Sequence, residues 1–197
     1  MLPFFIMNHT AEWFFYAAFI IWLAPEMISS YVIRVDPKAK VNDRNSSLVL
    51  SVCIWLSVFL GVWIAYLQTQ FTVTWEGGIV FSIGIVLMLT GVVFRWYSIS
   101  ILGKYFSQKV AVRPGQKVIQ DGPYRLIRHP SYSGSILTMF GAGLAFTNWL
   151  SLVAVMVLAL IGYGYRIWVE EMTLISELGE PYREYMKHTK RIIPFII

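Results

Sequence analysis

The chain has 197 residues, of which 57% are hydrophobic and only 14% are charged. Soluble domains carry about 25% charged residues, so this composition excludes a soluble globular fold and predicts one integral membrane domain over residues 1–197. The formal net charge is +5, but no separate basic domain is present to bind nucleic acid. The single cysteine, Cys53, excludes a multi-cysteine metal site. We therefore predict no nucleic-acid partner and no metal.

Five apolar segments predict an all-α, polytopic membrane protein with five transmembrane helices. The segments cover residues 11–33, 47–67, 77–97, 133–146 and 148–169. The fourth is short and meets the fifth at Thr147-Asn148, which predicts a tight helical hairpin. The tail beyond Glu171 has mixed polarity with a break at Gly179 and Pro181, which predicts short cytoplasmic helices after the last span.

The basic residues predict an orientation in the membrane. All sixteen Lys and Arg residues lie at or after the C-terminal end of the first, third or fifth segment, and Arg34 is the first of them. By the positive-inside rule, this places the N-terminus outside and the C-terminus in the cytoplasm. Most of the remaining polar variety lies in residues 98–197, so we expect the catalytic half of the chain, and its active site, at the cytoplasmic face.

Glycines recur every seven residues along the third segment, at Gly77, Gly84 and Gly91. A stripe without side chains favours close helix packing. A slot for a lipid tail is the alternative.

The stretch GPYRLIRHPSYSG, residues 122–134, is the most polar motif of the second half. Pro130 biases His129 away from the α region and suits the first turn of a helix, so the fourth helix is expected to begin there. A helix start beside Arg128 and His129 favours an anionic ligand group. The alternative is that these side chains only anchor the chain to lipid headgroups.

A second polar group lies near the end of the fifth segment. Arg166 and Glu170 are four residues apart and share one helix face, whereas Glu171 points elsewhere. Ionisable groups at membrane depth are costly and usually mark a functional site. A snorkelling arginine is the simpler alternative.

The motifs of the second half resemble the isoprenylcysteine carboxyl methyltransferase family. They are G-x-Y-x-x-x-R-H-P-S-Y-x-G at Gly122–Gly134, E-E-x-x-L at Glu170–Leu174, G-x-x-Y-x-x-Y at Gly179–Tyr185 and P-F-I at Pro194–Ile196. Their order and spacing cover roughly the last hundred residues.

The resemblance implies methyl transfer from S-adenosylmethionine to the C-terminal carboxylate of a prenylated cysteine, or another lipid-soluble carboxylate, among membrane lipids. It implies Arg166 and Glu170 as catalytic residues, with Arg166 binding the substrate carboxylate. It also implies a larger set of cofactor-binding residues: Gln108, Gln116, Lys117, Val118, Ile119, Tyr124, His129, Pro130, Ser131, Tyr132, Ser133 and Glu170.

The residues agree with this chemistry. A C-terminal carboxylate has a pKa near 3.5, so at neutral pH it is already a nucleophile and needs alignment and charge compensation rather than a base. A planar guanidinium such as that of Arg166 pairs a carboxylate and stays protonated. The alternatives are a phospholipid or other lipid-headgroup methyltransferase, an NADPH-dependent membrane reductase and a non-enzymatic membrane adaptor.

Overall fold

The computed structural model describes residues 2–33 and 36–194. Arg34 of the predicted basic loop and Phe195-Ile196 of the P-F-I motif lie outside the described residues. The helices are α1 (Phe4–Met7), α2 (His9–Val32), α3 (Ser46–Leu67), α4 (Gly77–Leu102), α5 (Pro130–Ala145), α6 (Trp149–Leu178) and α7 (Glu180–His188). Single 3₁₀ turns cover Thr69–Phe71, Gly103–Tyr105 and Gly122–Arg125.

Four of these helices are long and apolar enough to cross a membrane: α2, α3, α6, and α4 with the turn that follows it to Tyr105. Many of their large apolar side chains are exposed, among them Trp13, Phe59 and Val93, as expected of helices that contact lipid. The structure is therefore mostly helical, as predicted.

Two details of the fold differ from the sequence prediction, and the short α5 agrees with it. The described residues include a two-stranded antiparallel ribbon, β1 (Lys40–Val41) with β2 (Ala111–Val112), so the fold is not strictly all-α. The 16-residue α5 is about 24 Å long, shorter than the roughly 30 Å of a bilayer core. Helix α6 runs for 30 residues to Leu178, so α7 is the only separate helix described after the last span.

Gly84 and Gly91 of the α4 stripe pack against α5, whereas Gly77 packs against Phe4 of α1. A Cβ atom at Gly91 would lie 2.5 Å from the carbonyl oxygen of Gly134, and one at Gly141 would lie 2.3 Å from the backbone nitrogen of Met88. The two backbones are thus too close for any side chain between them. This packing confirms the first interpretation of the stripe and overturns the lipid slot.

The turn between α5 and α6 is tied to both neighbouring connections. Thr147 accepts a hydrogen bond from the backbone N–H of Phe4 on its Oγ1 at 2.9 Å and one from Val73 on its carbonyl at 2.9 Å. Asn148 donates from Nδ2 to the Gln68 carbonyl at 2.9 Å and caps α6 by accepting from the Ser151 N–H. Together α5 and α6 form the predicted hairpin.

Candidate active site

A cavity lies at the end of the bundle where α5 begins and α6 passes Arg166. It contains about 860 Å³ of space free of protein atoms, part of it open to solvent. The α4–α5 linker, the 122–134 motif, α6 and α7 surround it. Ten of the predicted site residues line it: Gln116, Lys117, Val118, Ile119, Tyr124, His129, Ser131, Tyr132, Arg166 and Glu170.

Three predicted cofactor residues do not line this cavity. Gln108 turns its side chain away and donates to Ser29 Oγ of α2 at 2.7 Å. Pro130 is buried as the first residue of α5, which confirms the predicted helix start. Ser133 donates from Oγ to the Ile192 carbonyl at 2.6 Å.

His129 precedes α5 in a non-helical conformation, with φ −123° and ψ 53°. Its ring is buried, stacks on Tyr132 with centroids 5.5 Å apart, and places Nε2 3.4 Å from Glu171 Oε1. The cavity therefore meets a ring held in place on two sides.

Glu171 organises this turn, which the sequence prediction missed. Its buried carboxylate accepts from Arg128 Nε at 2.9 Å and from Arg191 Nε at 3.0 Å, in addition to its contact with His129. As predicted, Glu171 points away from Arg166, but it shares a neighbour with Glu170, whose Oε2 lies 3.9 Å from His129 Nδ1. Two consecutive residues of the motif and Arg191 of the C-terminal segment meet at this one side chain.

The segment after α7 forms a strap, residues 189–192, along the motif. The backbone N–H of Arg128 donates to the Lys190 carbonyl at 2.7 Å, and that of His129 donates to the Arg191 carbonyl at 3.0 Å. Lys190 donates back to the Leu126 carbonyl at 3.0 Å. The strap thus satisfies backbone groups just before α5 and fixes the motif from outside the bundle.

The guanidinium of Arg166 is buried and held on three edges. Its Nε donates to Tyr132 Oη at 3.1 Å, its Nη1 to Asp43 Oδ1 and Ser46 Oγ, and its Nη2 to the Gln108 carbonyl at 2.9 Å. Four of the five N–H donors of an arginine are therefore used within the described residues. One Nη2 hydrogen remains for a ligand.

Glu170 reaches Arg166 only through a tyrosine. The hydroxyl of Tyr132 donates to Glu170 Oε2 at 2.6 Å while it accepts from Arg166. Arg166 and Glu170 are thus linked through the Tyr132 hydroxyl, and the 28% exposed side chain of Glu170 remains partly free at the cavity.

Asp43 is the ionic partner of Arg166 and was not among the predicted residues. Burial alone would raise the pKa of its carboxyl, but hydrogen bonds from Val110 N–H and from Ser47, with the charge of Arg166, lower that pKa to about 2. Asp43 therefore stays ionised at neutral pH. No sequence signal joins it to Arg166, because the two are 123 residues apart.

A second ion pair lies deeper, between Glu26 of α2 and Arg95 of α4. Arg95 donates from Nε and Nη2 to the two carboxylate oxygens, and from Nη1 to Ser135 Oγ at 3.0 Å. A groove between α2 and α3 opens over this pair, and its lining includes Trp22, Leu50, Trp55 and Gln108.

Two hydroxyls of the cavity have no hydrogen-bond partner among the described residues. They are Tyr182 Oη of α7 and Ser107 Oγ of the α4–α5 linker, and both residues line the cavity. Burial raises the pKa values of Tyr182 and Tyr124, so both phenols remain neutral. Buried hydroxyls without a partner are costly. The sequence prediction included neither Tyr182 nor Ser107.

The fold and the cavity define a helical integral membrane protein with a polar site at one end of its bundle. A sequence profile of the isoprenylcysteine carboxyl methyltransferase (ICMT) family matches residues 83–176, which hold most of this site. This part of the chain is therefore similar to that family, and the resemblance predicted from the motifs is confirmed.

Similar proteins extend the likeness over most of the chain. The probable protein-S-isoprenylcysteine O-methyltransferase of Oryza sativa subsp. japonica is 29% identical over 188 residues, covering 93% of this chain and 96% of that protein. Protein-S-isoprenylcysteine O-methyltransferase B of Arabidopsis thaliana is 28% identical over 175 residues, covering 85% of this chain and 87% of that protein.

A solved structure shares the fold. The eukaryotic intramembrane Ras methyltransferase ICMT superposes with a TM-score of 0.58 at 22% identity. The likeness covers 93% of this chain, which spans 63% of the length of that structure.

Proposed function

We propose that this protein is an enzyme that transfers a methyl group from S-adenosylmethionine to the C-terminal carboxylate of a prenylated cysteine or a similar lipid-soluble acid. The observation that carries the proposal is the position of Arg166: a buried guanidinium with one free N–H borders the same cavity as the His129 turn. The names of the plant relatives support the reaction class.

The cavity fits the methyl donor in polarity, because a few polar side chains converge on a partly apolar lining. The hydroxyls of Tyr182 and Ser107 would pair with polar atoms of the ligand, and Glu170 would lie near its cationic groups. When bound, S-adenosylmethionine supplies a methyl group on a positively charged sulfur.

The residues of this chain then have to position the acceptor and balance charge. The free Nη2 hydrogen of Arg166 would hold one carboxylate oxygen and leave the other directed at the methyl group. A new C–O bond forms as the S–CH₃ bond breaks, with no proton transfer, because the acid is already ionised. Alignment of this kind supplies about 7–11 kcal/mol of barrier lowering.

The apolar chain of the acceptor would lie in the groove between α2 and α3. Trp22, Leu50 and Trp55 give it apolar wall residues, and Gln108, which also lines the groove, accepts a hydrogen bond from Arg166 on its carbonyl. This route replaces a path along the glycine stripe of α4, which is filled by α5.

The proposal includes the membrane arrangement. All five apolar helices, including α5, would cross or enter the bilayer, with the N-terminus outside and the cavity, α7 and the strap at the cytoplasmic face. The grouping of every basic residue at alternate helix ends supports this arrangement. The packing of α5 against α4 would shelter its short length from lipid.

A methylation assay tests the function. Purified protein in detergent should transfer a labelled methyl group from S-adenosylmethionine to N-acetyl-S-farnesylcysteine, and not to the matched carboxamide, which has no nucleophilic oxygen anion. Transfer to phospholipid but not to the acid would instead support a lipid-headgroup methyltransferase. Binding of NADPH without binding of S-adenosylhomocysteine would support a reductase.

A further inference from the structure

We propose that Asp43 is a positioning residue for this reaction: it fixes the guanidinium plane of Arg166 so that the remaining Nη2 hydrogen faces the acceptor carboxylate. The inference rests on the proposed function. Asp43 lies in the α2–α3 loop, outside every motif that carries the family resemblance. Its side chain is only 10% exposed.

The Asp43 carboxylate joins three segments of the chain. It accepts from Ser46 Oγ at 3.2 Å and from Ser47 N and Oγ at 3.1 and 2.8 Å, which secures the start of α3. It accepts from the Val110 N–H of the α4–α5 linker at 2.8 Å. Its fifth donor is Arg166 of α6. A shift of any one segment would therefore move the carboxylate relative to Arg166.

These contacts decide the direction of the free N–H. A guanidinium is planar, so fixing Nη1 on Asp43 and Ser46, and Nε on Tyr132, also fixes the direction of Nη2. Asp43 is the only carboxylate within ion-pair distance of Arg166 in the described parts of the chain. Without it, Arg166 would keep only neutral partners on that edge.

Asp43 also balances charge through the reaction. Methylation converts the acceptor carboxylate into a neutral ester, which would leave a buried guanidinium without an anion if Asp43 were absent. With Asp43 in place, Arg166 is paired before and after the transfer. We therefore expect Asp43 to affect turnover more than acceptor affinity.

The test compares Asp43→Asn with Asp36→Asn. Asn keeps the shape of the side chain and loses its charge. Asp36 lies in the same loop and pairs with Arg113 at 3.5 Å, away from Arg166, which makes it a matched control. We normalise kcat to the concentration of sites that bind S-adenosylhomocysteine. Asp43→Asn should lower this kcat at least tenfold and keep the KM for farnesylcysteine within threefold of wild type. Asp36→Asn should keep both kcat and KM within twofold of wild type. An unchanged kcat in Asp43→Asn would overturn the proposal.

A double-mutant cycle separates positioning from a general structural role. Arg166→Lys removes the planar fork that Asp43 would orient, so Asp43→Asn should cost less activity in that background than in wild type, and only its charge-balancing contribution should remain. A full tenfold further loss there would mean that Asp43 acts by another path. If Asp43→Asn does not fold, Ser46→Ala replaces it, because it removes the other Nη1 acceptor and keeps the ion pair. A smaller fall in kcat is then expected. An unchanged kcat in Ser46→Ala would contradict the proposal.

The NMR signal of the Arg166 side chain tests the positioning independently of activity. In wild-type protein the Nε–H resonance should be sharp, with slow rotation of the guanidinium. In Asp43→Asn the rotation should become faster, and an unchanged signal would overturn the inference. If wild-type protein methylates no carboxylate, the proposed function fails while this measurement still decides whether Asp43 orients Arg166.

Discussion

Arg166 serves the structure and, as proposed, the substrate with the same guanidinium. Removing it entirely would leave Asp43 as a buried carboxylate without its cation, at a cost of about 3–5 kcal/mol. An alanine variant would therefore lose activity and stability together. A lysine variant keeps the charge beside Asp43 and removes only the fork that presents the free N–H.

Arg166→Lys should lower kcat/KM for a prenylated carboxylate by roughly 100-fold, because a directed charge-assisted hydrogen bond is worth about 1.5–3 kcal/mol. Calorimetric affinity for S-adenosylhomocysteine should stay within threefold. Arg113→Lys, at a pair away from the cavity, is the control and should retain activity. Near-normal turnover in Arg166→Lys would rule out the assigned role.

The lowered pKa of Asp43 predicts how stability depends on pH. A carboxyl group whose pKa falls on folding, here to about 2, stabilises the folded state above its unfolded pKa near 3.9 and loses that contribution as pH drops toward 2. The difference in Tm between wild type and Asp43→Asn should therefore be constant above pH 5 and shrink between about pH 4 and pH 2. A difference that instead changes between pH 5 and 8 would contradict the assignment.

The residues of the second half were predictable because they form local motifs. His129, Tyr132, Arg166 and Glu170 all reach the cavity. Their partners were not predictable, because Asp43 approaches from a distant loop. One sequence carries no signal for a contact across more than a hundred residues.

At the scale of elements, the close contact between α4 and α5 depends on glycines, which have no side chain to separate the two backbones. Gly91→Ala should destabilise the protein by about 1–3 kcal/mol, since the added methyl group would meet the Gly134 carbonyl and force the helices apart. Gly164→Ala is the control, because nothing lies within 4 Å of its Cβ position and alanine favours a helix. Thermal unfolding in detergent measures both.

Activity measurements on Gly91→Ala give a second reading. The variant should lose methyl transfer toward short and long acceptors alike, because it displaces the helix that begins at Pro130. Loss toward long acceptors alone would return the lipid slot as an explanation.

The strap predicts that the end of the chain supports the cofactor site. Truncation after His188 removes the carbonyls that accept hydrogen bonds from the backbone N–H groups of Arg128 and His129. It should therefore weaken S-adenosylhomocysteine affinity at least tenfold. Truncation after Pro194 keeps the strap and is the matched control. Equal affinity in the two truncated proteins would show that the strap does not support this site.

The helix positions followed from hydropathy, but two of their ends did not. The predicted third and fifth segments end at residues 97 and 169, whereas α4 continues to Leu102 and α6 to Leu178. Hydropathy falls where polar side chains begin, but the backbone hydrogen bonds of a helix continue. In α6, the polar side chains of Arg166 and Glu171 turn inward to partners that a hydropathy window does not register.

At the scale of the whole molecule, the proposed orientation is open to labelling. Cys53 is the only cysteine, so Cys53→Ser yields a protein without thiols. In that background, cysteine at exposed Gln70 should react with an impermeant maleimide in intact cells, and cysteine at Glu184 of α7 should react only after permeabilisation. The reverse pattern would place the cavity outside.

The turn at Thr147-Asn148 fixes the angle between α5 and α6, the two helices that carry most of the site. From Trp149 to Arg166, α6 extends about 26 Å, so opening by about 5° at the turn would displace Arg166 by about 2 Å. A displacement of that size is enough to disrupt an in-line transfer. Hydrogen bonds with Phe4, Val73 and Gln68 restrain this turn, which lies at the end of the helices remote from the cavity. The alignment of donor and acceptor groups thus depends on hydrogen bonds at the opposite end of the helix bundle from the cavity.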